Sequence, residues 1–123
     1  MSLSDDDARS RALTLARAAL EGQAEELVLL HIGELSLLAD YFLVASGNSD
    51  RHVRALADRI EEVGREAKIR PLHREGEREA RWILLDYGDV VVHLFEPETR
   101  AYYNLVGLWA DAPRVEVEVD AAV

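Results

Sequence analysis

Residues 81–95 read RWILLDYGDVVVHLF, and the rest of the fold is organised around this stretch. Two apolar runs, 82–85 and 90–95, flank the four residues 86–89. The runs are rich in β-branched and aromatic residues, which favour strands. Gly88 adopts a positive φ at little cost, and the aspartates beside it can accept hydrogen bonds from nearby amides. The pattern predicts a β-hairpin, and because neither run contains proline, both strands can be central in a sheet.

Length and composition bound the class of protein. The chain has 123 residues, 49% of them hydrophobic, and no cysteine. This indicates one globular domain without a disulfide framework or thiolate chemistry. The first residues are acidic, whereas a secretion signal begins basic and then becomes apolar. No apolar run approaches the roughly 20 residues of a membrane span. We therefore expect a cytoplasmic protein with no membrane partner.

The net charge of −10 indicates which partners the chain attracts. An acidic surface repels a phosphate backbone, so we expect no direct charge-driven binding to nucleic acid. The charge is uneven, because residues 51–81 contain nine of the 14 basic residues against seven acidic ones, which leaves −12 on the remainder. A basic protein is the partner that this distribution favours.

Hydrophobic periodicity predicts the elements around the hairpin. A first helix follows a cap at Ser4 and ends at Gly22, and a second helix is capped by Asn48 or Ser49. Pro97 suits the first position of a third helix, after the hairpin. Three further strands are predicted ahead of the hairpin, at residues 26–32, 40–46 and 69–74.

The predicted order is α, β, β, α, β, β, β, α. It corresponds to a single α/β domain, bordering on α+β, with a mixed sheet of about five strands and helices packed on it. The second helix separates two strands, so we expect a right-handed crossover between parallel strands from residue 41 to residue 72. We place the domain at residues 1–112. Residues 113–123 are expected to form a loose tail, although 115–119 alternates like an edge strand.

The four histidines do not have the spacing of a metal site. His31, His52, His73 and His93 are far apart in the sequence, and no cysteine accompanies them. We expect no metal and no cofactor, because the chain also lacks a P-loop, a nucleophile elbow and a zinc motif. A hydrogen-bonded core position is the default for a strand histidine, and a functional role stays open for His93.

Asp86 and Asp89 are the most catalytic-looking carboxylates. Paired carboxylates can hold Mg²⁺ for nucleotidyl transfer, and Gly47, Asn48 and Ser49 before a helix could cradle a phosphate. Nucleotidyltransferases carry an Asp-x-Asp pair on one strand, whereas here the pair brackets a turn, where each aspartate also suits a capping role. A nucleotide-using enzyme therefore remains the alternative function.

Trp82, Leu84 and Asp86 alternate onto one face of their strand. The opposite face of that strand is also apolar, so helices can cover one face while the other belongs either to the core or to a partner. Tyr103 and Trp109 belong to an aromatic cluster for which both interpretations stay open. Tyr and Trp are frequent at binding hot spots, which makes both groups candidates for an interface.

Several ordered blocks of the chain resemble the ribosomal silencing factor family, also called Iojap. The blocks are DYFLVASGNSDRHV at residues 40–53, Glu75-Gly76 ahead of Trp82, the two hairpin strands with DYGD between them, ETRAYYNL at residues 98–105, and Leu108-Trp109. Together they extend over about residues 13–112. The family tends to have an aspartate near the end of the first strand, where this chain has His31.

The resemblance implies a translation regulator and not an enzyme, with a nucleotidyltransferase-like sheet that lacks the catalytic residues. Family members bind the large ribosomal subunit through its universal protein fourteen and block its association with the small subunit when nutrients are short. Free copies could also pair as a homodimer. The residues that we expect at the docking surface are Trp82, Leu84, Asp86, His73, Glu75 and His93, with a rival surface at Tyr103 and Trp109.

Overall fold

The computed structural model describes residues 5–118, so the expected cap at Ser4 lies outside the described residues. None of the helices in this range is long and apolar enough to cross a membrane. The elements are α1 (Asp5–Glu21), β1 (Glu25–His31), β2 (Tyr41–Ser46), α2 (Asp50–Glu66), β3 (His73–Glu75), β4 (Trp82–Asp86), β5 (Val90–Phe95), α3 (Pro97–Tyr103), α4 (Leu105–Leu108) and β6 (Arg114–Val115).

The six strands form one mixed sheet in the order β3-β4-β5-β2-β1-β6. Strands β2 and β5 run parallel, and every other neighbouring pair is antiparallel. The prediction of a single α/β domain with a mixed sheet is confirmed, with six strands in place of about five. Strand β5 is buried along its whole length, as is β2, which is typical of strands covered on both faces.

The predicted hairpin is confirmed, and its turn uses the residues expected of it. Gly88 has φ +87, and its amide donates to Asp86 Oδ1 over 2.8 Å. The Tyr87 amide closes the turn by donating to the Val90 carbonyl over 2.8 Å. The Asp89 carbonyl accepts hydrogen bonds from the amides of Asp40 and of Tyr41, the first residue of β2, so the turn also fixes where β2 begins.

The crossover prediction is wrong in its pairing. Strand β3 points the same way as β2, but it lies at the sheet edge and pairs antiparallel with β4. The parallel neighbour of β2 is β5, which matches all six of its residues. Three polar residues suit an exposed edge, whereas β5 is apolar enough for the centre. The strand also begins at His73 instead of residue 69, because Ile69 is buried beneath the end of α2.

The start of the expected tail forms an edge strand, which was the alternative to a loose segment. Arg114 and Val115 form β6 and pair with Leu30 and Leu29 of β1. The His31 amide donates to the Pro113 carbonyl over 2.9 Å, which extends this edge by one bond. Residues 119–123 lie outside the described part of the chain.

Two apolar clusters lie on opposite faces of the sheet. Helices α1 and α2 cover one face with the stripe predicted for α2, which includes Val53, Leu56 and Ile60. Ser49 caps α2, accepting a hydrogen bond from the His52 amide over 3.1 Å. The second cluster is covered by the α3–α4 segment and only in part. The chain therefore has one closed and one partly open sheet face.

Candidate functional site

The partly open side of the sheet, here called the Trp82 face, gathers the residues expected at the docking surface. Cross-strand neighbours in a sheet point to the same side. Leu84 of β4 lies between Glu75 of β3 and His93 of β5, and Asp86 lies opposite His73. The six predicted residues of β3, β4 and β5 are thus brought together on one side of the sheet.

Trp82 is the aromatic centre of this face. Its ring centroid lies 4.8 Å from that of Phe95 on β5 and 4.9 Å from that of Tyr103 on α3. Tyr103 is 49% exposed, so this contact continues outward to the surface. The surfaces that we expected to be rivals, around Trp82 and around Tyr103, are therefore one continuous surface.

His93 lies beneath this surface. It is only 4% exposed, and burial lowers its pKa from 6.5 to about 4 against the raising effect of the Asp86 carboxylate. The ring is therefore neutral near pH 7. Its Nδ1 accepts a hydrogen bond from the Trp82 indole over 3.1 Å, which places the ring proton on Nε2. Among residues 5–118, Nε2 has no hydrogen-bond partner.

Trp109 covers the sheet more than it extends the surface. Its half-buried ring packs edge-on against Phe42 of β2, with 5.6 Å between the centroids. Phe42 in turn contacts His93 at 4.7 Å. Our sequence reasoning missed Phe42 and Phe95 as parts of this site. The alternation of β5 could have identified Phe95, because it lies two residues after His93.

The rim of the Trp82 face is polar and exposed. His73 Nε2 lies 3.0 Å from Glu75 Oε1, with both side chains more than half exposed. One carboxylate oxygen of Asp86 accepts a hydrogen bond from the amide of Gly88 in the hairpin turn. The arrangement is an aromatic centre with carboxylates at its margin, which fits a protein partner that carries basic groups.

The two hairpin aspartates do not form a shared metal site. Asp89 Oδ2 lies 3.1 Å from Arg11 Nε of α1, on the closed side of the sheet, whereas Asp86 shares the Trp82 face with its neighbour Val91. Within residues 5–118, no group of three or more histidine or acidic side chains is arranged to hold a metal ion.

Two backbone amides of the turn at residues 47–49 donate hydrogen bonds within the protein. The Gly47 amide donates to Phe95 O, and the Asn48 amide donates to His52 Nδ1, both over 2.9 Å. The other ring nitrogen of His52 donates to Gly22 O over 2.9 Å. These bonds fasten the turn to β5 and to the end of α1, so two of its three backbone amides point into the protein and not towards a bound phosphate.

His31 stands where the resemblance led us to expect an aspartate. Its ring stacks on Tyr41 across the β1–β2 pair, with centroids 4.6 Å apart and planes inclined by 14°. The default core position is not what the structure shows here, because His31 is only half-buried. Its contact is a cross-strand aromatic one at the hairpin end of the sheet.

Comparisons with known proteins identify the family. The family described as "Ribosomal silencing factor during starvation" matches residues 5–123, beyond the limit of residue 112 that the resemblance suggested. The ribosomal silencing factor of Bacillus subtilis is 46% identical over 86% of this chain and 91% of its own. A mouse protein named "Mitochondrial assembly of ribosomal large subunit protein 1" is 32% identical over 70% of this chain and 39% of its own.

A solved structure supports the same assignment at the level of the fold. The crystal structure of a Chromobacterium violaceum protein superposes with a TM-score of 0.81 and 31% identity, over 93% of this chain and 94% of that one. The family is one of ribosomal silencing factors, a description that indicates ribosome-associated regulation of translation. From the family match, the sequence identity and the shared fold, the chain belongs to the ribosomal silencing factor family.

Proposed function

We propose that this protein binds the large ribosomal subunit in the cytoplasm through its universal protein fourteen. The bound domain then obstructs the small subunit and lowers translation when nutrients are limiting. The observation that carries this proposal is the continuous aromatic surface from Trp82 to Tyr103, which the helices of the domain leave partly open.

The two sides of the sheet differ in a way that favours this surface. On the closed side, α1 and α2 bury the apolar groups. On the Trp82 face, Trp82 and Leu84 stay half-buried and Tyr103 is half-exposed. Half-exposed aromatic side chains in a well-packed setting are typical of interface hot spots. The net charge of −10 further favours a basic protein over RNA as the direct contact.

The layered fold supports a steric mechanism. If the Trp82 face rests on the ribosomal protein, α1 and α2 lie on the far side of the sheet and project away from it. A helical layer is roughly 10 Å thick, so the bound domain adds a rigid body between the subunits. No chemical step is needed, because occupying the space is sufficient. The mouse relative is itself named for the ribosomal large subunit, which supports this choice of subunit.

The test is co-sedimentation of the purified protein with separated small and large ribosomal subunits, followed by a subunit-joining measurement on density gradients. We expect binding to the large subunit alone and a dose-dependent loss of joined ribosomes. Sedimentation velocity of the free protein shows whether copies also pair through this surface. Binding to neither subunit, or binding to the large subunit without loss of joining, contradicts the proposal.

A further inference from the structure

A groove of about 750 Å³ adjoins the Trp82 face on the side of Tyr103. One wall is the loop between β3 and β4, and the other is α3. The Glu96 amide donates to the Arg81 carbonyl over 2.9 Å, which ties the two walls together at their base. Trp82 and Tyr103 line the groove as well as the Trp82 face, so the two are continuous.

The loop wall is held in place from behind. Gly76 has φ +88, and a Cβ added there would lie 1.9 Å from the Trp82 carbonyl oxygen, so the loop backbone runs directly against Trp82. Arg54 of α2 reaches across and donates from Nε to the Glu77 carbonyl over 3.1 Å, and from Nη2 to the Arg78 carbonyl. The wall is therefore preformed, and a ligand does not have to order it on binding.

The lining combines carboxylates with aromatic rings. Four glutamates (77, 79, 96 and 98) and two arginines (78 and 81) line the groove, which leaves an acidic excess of two charges. The ring of Tyr102 is 82% exposed and packs edge-on against Tyr103 at 5.0 Å. Aromatic faces attract a cation, and a neighbouring carboxylate adds an ion pair to that attraction.

We infer that this groove receives an arginine or lysine side chain of the ribosomal protein on which the domain docks. This inference rests on the proposed function and specifies its chemistry. A phosphate of ribosomal RNA would meet the acidic excess and be repelled. A second copy of this chain would bring its own net charge of −10 towards the same carboxylates. A basic side chain can form an ion pair with the carboxylates and a cation–π contact with the rings. Because the groove adjoins Trp82, this side chain would bind at the edge of the docking surface.

The test compares two double variants in binding to the purified large subunit. Glu96→Gln with Glu98→Gln removes two groove carboxylates, and Glu62→Gln with Glu66→Gln removes two exposed carboxylates from α2 as the matched control. We expect the groove variant to bind about tenfold more weakly near 0.1 M salt. We also expect its affinity to depend less on salt concentration, because the charged contacts that it loses are the ones that salt screens. We expect the control to bind within about twofold of the unmodified protein.

A third variant tests the aromatic contribution. Tyr102→Ala removes an exposed ring that packs only against Tyr103 among the ring contacts of the described residues, so we expect unchanged thermal stability and about three- to thirtyfold weaker binding. Equal affinity and equal salt dependence of the groove variant and its control would overturn the inference while leaving the proposed function intact. Tighter binding by the groove variant would indicate a phosphate in the groove and would also overturn it. Failure of the unmodified protein to bind would remove both proposals.

Discussion

The Trp82 indole nitrogen of β4 donates a hydrogen bond to Nδ1 of His93 on the neighbouring strand, over 3.1 Å. This bond fixes the orientation of the Trp82 indole and the tautomer of the buried histidine beneath it. A side chain that hardly touches solvent thus determines how an outward-facing residue is presented. The pair links the stability of the sheet to the shape of the proposed docking surface.

Removing the histidine should destabilise the fold. His93→Ala leaves a cavity between Trp82 and Phe42 and an indole N–H without its acceptor, for which we expect about 2–4 kcal/mol loss in the free energy of unfolding. His73→Ala, on the exposed edge strand of the same face, is the control and should change this energy by less than about 0.5 kcal/mol. Urea unfolding of both variants measures the difference. A similar stability for the two variants would show that the buried contact contributes little.

The same histidine predicts a pH dependence. Burial lowers its pKa in the folded protein to about 4, against 6.5 for an unperturbed histidine. Between these values the unfolded state binds more protons, so the His93 contribution is fully present above about pH 6.5 and declines as the pH falls towards 4. From the difference between the two pKa values, the free energy of unfolding loses roughly 3 kcal/mol of the His93 contribution over this range.

Carboxylates titrate over part of the same range, so a variant is needed to isolate the histidine. Subtracting the unfolding free energy of His93→Gln from that of the unmodified protein, at each pH from 4 to 7, removes the contributions that both share. We expect this difference in unfolding free energy to increase as the pH rises, because the unmodified protein gains stability that the variant does not. A difference that stays flat across this range would mean that His93 does not bind its proton more weakly in the folded state.

Two glycines with nearly the same backbone conformation should respond differently to alanine. Gly76 has φ +88 and Gly88 has φ +87, so both substitutions carry the same left-handed strain of about 1–2 kcal/mol. At Gly88 the added Cβ meets only the Leu72 side chain at 3.4 Å, whereas at Gly76 it overlaps the Trp82 carbonyl oxygen. We therefore expect Gly88→Ala to cost only the strain and Gly76→Ala to cost at least about 2 kcal/mol more.

Thermal and urea unfolding of the two variants measure this contrast directly. Gly76→Ala should also weaken binding to the large subunit, because the β3–β4 loop must move away from Trp82. Equal losses of unfolding free energy for the two variants would show that the β3–β4 loop moves away from Trp82 without a cost in stability.

Much of the fold could be predicted because its signals are local. Gly88 and the aspartates beside it indicate the hairpin turn, and the spacing of Val53, Leu56 and Ile60 indicates α2. The pairing of β3 could not be predicted in this way, because it depends on which strand occupies the centre of the sheet. Arg74 illustrates the point: it pairs with Glu61 and Asp58 of α2, contacts that tie the edge strand to the helix and that no i,i+4 spacing shows.

The sequence predicted both surfaces of the site, around Trp82 and around Tyr103, but not that the two are continuous. Alternation along β4 places Trp82, Leu84 and Asp86 on one face. Their link to Tyr103 depends on α3, which places the Tyr103 ring 4.9 Å from that of Trp82. The chain reaches Trp109 only after Asn104, which ends α3 in the left-handed region with φ 46 and caps α4 with its side chain. That turn directs the chain back over the open face, and asparagine tolerates it better than most residues do. The sequence contains no periodic signal for such a path, so the two surfaces looked like alternatives.

The continuity of the surface gives a prediction that separates one docking site from two. Because the rings of Trp82 and Tyr103 lie 4.9 Å apart, Trp82→Ala and Tyr103→Ala should weaken large-subunit binding non-additively, with a coupling of at least about 0.5 kcal/mol. Each single change should cost about 1–3 kcal/mol of binding free energy if these rings are hot-spot residues.

The control pair is Trp82→Ala with Leu72→Ala, because exposed Leu72 precedes β3 near the hairpin turn, at the opposite end of β4. Residues that far apart should give additive effects within about 0.5 kcal/mol. Normal binding by folded Trp82→Ala would reject this face as the docking site, and additive effects of Trp82 and Tyr103 would mean that each ring meets the ribosome independently.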